Sequence, residues 1–190
     1  MGPIYSERLT MNACKNLKPF GYLILITLML AACGTGNIYV SRDLKVKGTK
    51  KCALAGFLFK DMKGEKDFRH ISEEFSDALS IYFLQSGFSV IERSRIDLIL
   101  KELNLQQTGI TNSADAVKVG KLANVRYVVF GTGRLDRTGS SYFLHGVTVK
   151  MIDVESGEIV LMASRTGAGE RPIEVANKMG YDIRLQFKLK

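Results

Sequence analysis

Ala53-Leu54-Ala55-Gly56-Phe57-Leu58-Phe59 is an unbroken apolar run, closed by Lys60 and Asp61. A strand with one wet face alternates apolar and polar residues; an unbroken run reads as a strand covered on both faces. The sheet it belongs to therefore has other layers packed against it. Cys52 opens the same run and reads as a small buried apolar residue rather than a reactive thiol.

Downstream, Ile71, Phe75, Ala78, Leu79 and Tyr82 recur at helical spacing and predict a helix over 70–85, stopped by Ser86-Gly87. Residues 88–93 alternate in part and predict a second strand. Ser94 and Asp97 form an S-x-x-D start signal, and Ile96, Ile99, Leu100 and Leu103 give the apolar face of a helix running to about 105. Asn112 or Ser113 caps a further helix through Val117, Leu122 and Ala123. Strands follow over 125–131, 143–154 and 158–165. Between the last two, Asp153-Val154-Glu155-Ser156-Gly157 is a tight turn, with Gly157 supplying a positive φ. Ile173, Ala176, Met179, Ile183 and Phe187 predict a closing helix. The early strand–helix–strand crossovers favour parallel pairing, and the short turns joining the last strands favour antiparallel pairing. The fold class is α/β (mixed α+β): a single mixed β-sheet of about five strands packed with about four helices.

Upstream lies a different kind of segment. Lys15 and Lys18 precede the apolar core Phe20-Gly21-Tyr22-Leu23-Ile24-Leu25-Ile26-Thr27-Leu28-Met29-Leu30, and Ala31-Ala32-Cys33 follows. That charged, apolar, small-residue order is a signal peptide; the core is shorter than the about 20 residues of a permanent span. A buried N-terminal helix is the competing reading. Met11 fits as the start better than Met1, because Glu7 breaks the pattern. Leu30-Ala31-Ala32-Cys33 resembles the lipobox of bacterial lipoproteins. That resemblance implies cleavage before Cys33 and its acylation by diacylglycerol and an N-acyl chain; Gly34 in place of Asp implies outer-membrane sorting. The domains are then 1–32, a lipoprotein signal peptide; 33–50, the acylated cysteine and a short basic tether; and 51–190, a folded periplasmic domain. A short strand at 38–40 is compatible with the tether, which as a free chain would reach roughly 60 Å at full stretch. With Cys14 removed and Cys33 acylated, Cys52 alone remains, so no internal disulfide forms.

The net charge is +8. A basic exported domain suggests anionic lipid or wall polymer nearby rather than nucleic acid.

Four blocks, in order, resemble the curli assembly/transport lipoprotein family with its CsgG-like domain. They are Phe88-Ser89-Val90-Ile91-Glu92-Arg93-Ser94, residues 98–109, Val128-Val129-Phe130-Gly131, and Met151-Ile152-Asp153-Val154-Glu155-Ser156-Gly157-Glu158-Ile159. Residues 53–59 resemble the family's opening strand, without the proline common there. The resemblance implies an outer-membrane lipoprotein facing the periplasm and acting as a non-enzymatic component of a cell-envelope complex. Its partners would be envelope proteins of curli-type secretion or appendage assembly, and further copies of itself. The alternative it implies is the LpoB-like activation of a peptidoglycan synthase. The long membrane-spanning hairpins of the curli secretion protein have no counterpart in the connections at 134–141 and 154–158, so the chain is not expected to line a pore by itself.

Candidate chemistry is sparse. His70 has Glu73 and Glu74 nearby but no second histidine or cysteine, and His145 has no such neighbour; neither makes a metal site. Gly131-Thr132-Gly133 lacks the third glycine and the following helix of a phosphate loop. Ser140 and Ser141 read as turn residues, Glu92 and Arg93 as a local ion pair or exposed edge, and Asp61, Glu65 and Asp67 as a solvated acidic loop. No catalytic, metal or cofactor-binding residue is assigned, and Cys33, the lipid anchor, is the one site residue.

Overall fold

The computed structural model describes residues 36–41, 44, 50–61, 68–105 and 110–188. The chain divides into two units, Met1–Thr35 and Gly36–Lys190, and the described residues all belong to the second. The signal segment and Cys33 therefore lie outside them, as do Glu65 and Asp67.

One six-stranded mixed sheet carries the domain, in the order β1-β6-β5-β4-β2-β3. Its strands are β1 (Gly36–Val40), β2 (Lys51–Asp61), β3 (Ser89–Val90), β4 (Tyr127–Thr138), β5 (Ser141–Asp153) and β6 (Ile159–Glu170). The helices are α1 (Arg69–Gln85), α2 (Arg93–Glu102), α3 (Ser113–Ala123) and α4 (Pro172–Lys188). β2 pairs in parallel with β3 and β4, while β4, β5, β6 and β1 pair antiparallel. The opening run is β2, and it does have a core on each face. Cys52, Leu54, Phe57 and Phe59 join α1 and α4 on one side; Ala53 and Ala55 join α2 and α3 on the other.

That division depends on a β-bulge. The register shifts between Leu54 and Phe57, and Gly56 there has φ +95°, a conformation that favours glycine. The extra residue resets the alternation, so both phenylalanines face α1. The Phe57 N–H, turned away from β4, donates to Ser72 Oγ of α1 at 3.0 Å, which accounts for a buried serine on an apolar helix face. Phe75 then stands edge-on to both rings, 4.8 Å from Phe57 and 5.3 Å from Phe59.

The helices of this layer touch closely at Gly180 of α4. A Cβ there would overlap the Tyr82 ring of α1, so the glycine is what lets the two backbones approach. Arg165 of β6 ties sheet to helix layer, lying 3.7 Å from both Glu170 and Asp182.

Five expectations change. The segment 33–50, read as a tether, is partly sheet: β1 pairs with β6 from Gly36↔Arg165 to Val40↔Leu161, and Leu44 is buried. The sheet has six strands for that reason, and the reach of a free linker does not apply. The strand expected over 88–93 shrinks to Ser89–Val90, because only Lys51 and Cys52 offer it partners. The helix expected to be capped at Ser94 starts at Arg93, with Glu92 as its N-cap and no side-chain cap bond. Instead Arg93 lies 3.8 Å from both Glu73 of α1 and Asp97. The strand expected to stop at Gly131 runs to Thr138. The connection read over 134–141 accordingly shrinks to the turn between Thr138 and Ser141, and β6 continues to Glu170. The cap expected at Asn112 and the turn glycine hold. Asn112 caps α3 by accepting the Asp115 N–H at 2.9 Å, and Gly157 has φ +75°.

Candidate functional site

The two faces of the sheet are covered unequally. α1 and α4 blanket one. On the other, α2 and α3 cover one end, over Val128, Phe130 and Ile152. Past them, among the described residues, no helix or strand covers the face, and Thr111 of the α2–α3 connection borders it. Its floor follows from register: Thr132 pairs with Thr148 and Thr148 with Ser164; Lys150 pairs with Met162 and Met162 with Tyr39; Lys60 pairs with Arg134. A groove of about 740 Å³ runs over Leu58, Lys60, Thr132, Arg134, Thr148 and Ser164. Tyr39 is 61% exposed and Met162 40% exposed, so the edge of this face toward β1 presents large apolar side chains to solvent. The face is thus hydroxyl-lined and basic in the middle and apolar along one rim.

The glycines on either side of Thr132 serve packing on the α1 side of the sheet. Gly131 and Gly133 lie inside β4, paired with Phe57 and Phe59. A Cβ on Gly131 would sit 2.7 Å from Phe57 Cδ1, and one on Gly133 2.6 Å from Phe59 Cδ1. The rings occupy the space that side chains would take, so Gly131-Thr132-Gly133 is a strand over which aromatics lie, with no helix N-terminus beyond it.

The other sequence candidates are scattered. His70 is exposed at the start of α1. His145 of β5 does have an acidic neighbour, Asp136 of β4, with Nδ1–Oδ2 at 3.8 Å; antiparallel pairing brings together residues that linear spacing kept apart. Ser140 sits in the β4–β5 turn. Asp153 is buried and holds the β5–β6 turn, accepting the Glu155 N–H at 2.9 Å and the Arg126 Nε–H at 2.9 Å; Arg126 also pairs with Glu155. Among the described residues no three His, Cys, Asp or Glu side chains are placed to hold a metal ion.

Cys52 is fully buried in the core under α1, and burial pushes its thiol up to about 12. The thiol is the neutral, unreactive form at physiological pH. The sign of the linkage is fixed by that direction: the folded pKa exceeds the unfolded one, so its contribution is constant below about 9 and stability falls as pH rises beyond it. In a chain carrying Cys14→Ala and Cys33→Ala, Cys52 should ignore an aromatic disulfide reagent at pH 8 and react within minutes once urea unfolds the domain. Rapid labelling of the native chain would contradict this burial.

Three comparisons with known proteins bear on the chain. The profile of the family described as "Curli production assembly/transport component CsgG" matches residues 35–133. No curated protein matches the sequence significantly. Among solved structures, a PelC dodecamer from Paraburkholderia phytofirmans aligns with TM-score 0.51 and 17% identity, over 83% of this chain and 99% of that one. The LpoB C-terminal domain from Salmonella enterica aligns with TM-score 0.48 and 13% identity, over 77% and 94%. Lipoprotein GNA1162 from Neisseria meningitidis aligns with TM-score 0.41 and 12% identity, over 75% and 100%. The mixed sheet with four helices is the fold shared with the PelC structure.

Proposed function

The chain belongs to the curli production assembly/transport component CsgG family, and from that premise we propose that it is a non-enzymatic assembly component of a bacterial cell envelope. Acylated Cys33 holds it at the outer membrane, and the sheet domain faces the periplasm. One observation carries the reading: among the described residues half of one sheet face is left uncovered, with Tyr39 and Met162 exposed on it. Such a face is an interaction surface before it is a reaction site. Its occupant is a neighbouring envelope protein, first of all a second copy of the chain; the PelC structure that shares the fold is a dodecamer. A photo-crosslinker at Tyr39 in growing cells should give one discrete adduct, and a crosslinker at exposed Glu74 on the opposite layer should not. Equal, diffuse crosslinking from both positions would sink the assignment of the face.

The chain does not line a pore by itself. Spanning strands need about 9–11 residues each beyond the folded sheet. The β4–β5 arm closes at Thr138↔Ser141, and Leu135 and Leu144 within it are already buried in the domain core. Purified lipidated protein should show no steady conductance in planar bilayers; reproducible single-channel steps would refute this. Activation of a peptidoglycan synthase, the alternative reading, requires a partner that comes to the membrane, because only Gly34 and Thr35 separate Cys33 from β1.

A further inference from the structure

The end of the sheet at which β1 begins carries two cations without an ion-pair partner among the described residues. Lys60 of β2 and Arg134 of β4 are direct register partners, and both are exposed. Among the described residues, neither has an ion-pair partner. Like charges directly opposite in a ladder repel, and such violations of local consistency concentrate where function requires them. Arg137, further along β4, is held at the hairpin tip: its Nε donates to the Gly139 carbonyl at 2.9 Å, and its guanidinium lies 5.9 Å from the Tyr142 ring centre. Among the described residues the acids at this end are Asp61, Asp136 and Glu170; Glu65 and Asp67 follow Asp61 in the sequence, beside Lys63 and Lys66. Asp136 faces His145, and Glu170 is bound by Lys178 at 2.7 Å and approached by Arg165 at 3.7 Å.

Register fixes where the chain enters relative to these cations. Gly36 pairs with Arg165, Arg165 with Val147, Val147 with Gly133 and Gly133 with Phe59. That row is next to the one holding Lys60 and Arg134. Cys33 precedes Gly36 by three residues, which span at most about 10 Å. The hairpin closes five positions past Gly133 on β4, a projection of about 16 Å in the same direction. An anchor at Cys33 therefore cannot hold the bilayer farther away than the hairpin arm already reaches.

We propose that this end of the sheet, with Arg137 at the β4–β5 tip and Lys60 and Arg134 on the open face about 13 Å short of it, docks on the anionic headgroups of the bilayer that holds Cys33. The inference rests on the acylation proposed above. Headgroup phosphates accept charge-assisted bonds from the lysine and, in bidentate fashion, from the two arginines. The docked domain stands with its strands leading away from the bilayer. Its open face then points sideways, toward neighbours in the plane of the membrane.

The test uses lipidated protein extracted from membranes and carrying Ser140→Cys with a fluorophore; Cys52 is too buried to label. The protein is reconstituted into phosphatidylcholine vesicles with or without a quarter phosphatidylglycerol, each containing a headgroup-linked quencher. The Ser140 probe should be quenched in the anionic vesicles, and a probe at Glu155→Cys, at the opposite end, should not. Lys60→Gln with Arg134→Gln should lower the docked-to-undocked ratio about tenfold or more, with unchanged circular dichroism. Equal quenching in both lipids, quenching that survives the double substitution, or none at all would overturn the docking. Failure of the anchor is separately visible, as a Cys33 without acyl chains in the mass of the extracted protein.

Discussion

Phe75→Ala removes the ring on which the α1 side of the core is built, and should cost about 3–5 kcal/mol. Phe75 is completely buried and touches Phe57 and Phe59 edge-on. Those two rings cannot collapse into the space it leaves, because each is held over the glycine paired with it in β4. The cavity therefore persists, and persistent cavities set the upper end of the cost. In a domain of this size such a loss lowers the melting temperature by about 10 °C or more. Leu98→Ala is the control: Leu98 is 68% exposed on α2, and its removal should move stability by less than about 0.5 kcal/mol. Equal melting curves for the two variants would show that the aromatic stack does not carry the core.

Gly131→Ala should destabilise by about 3 kcal/mol from the opposite cause, overpacking. The added Cβ would overlap the Thr148 carbonyl oxygen of β5 and press on the Phe57 ring. The ring can give a little; the carbonyl belongs to the central ladder and cannot. The substitution should also loosen the β4–β5 pairing, seen as faster amide exchange at Gly131, Thr132 and Thr148. A Gly131→Ala chain as stable as the parent would mean the close approach of these strands is not needed. Gly157→Ala offers a comparison. It lies in a turn with nothing near its Cβ position, so its cost comes from its positive φ alone.

These two residues also show what could be read in advance. Helical periodicity placed Phe75 on the buried face of α1, because an amphipathic helix writes its orientation into residue spacing. Gly131 read as a strand end, and β4 was expected to stop there. A glycine has no side chain with which to mark a face, and the aromatics that cover it come from β2, distant in sequence. The Gly56 bulge was hidden similarly: an unbroken apolar run has no phase in which an extra residue can show. Nothing in the sequence marks Ser72, since its partner is a backbone N–H freed by that bulge. The open face is the least legible part. Lys60, Thr132, Arg134, Thr148, Met162 and Tyr39 come from five strands and share no local pattern. Register alone assembles them. Cys33 is the reverse case: a local motif alone carries its proposed role, and it lies outside the described residues.

The role proposed for the open face makes oligomeric state the decisive observable. The measurement is the molar mass, by light scattering behind size exclusion, of the detergent-extracted protein beside Tyr39→Asp with Met162→Asp. Both substitutions place charge on exposed side chains, so the fold should survive and unchanged circular dichroism would confirm it. A multi-subunit mass is expected for the parent and a monomer for the variant. A parent that is monomeric at every concentration, or a variant that keeps the parent's oligomeric mass, would contradict assembly through this face.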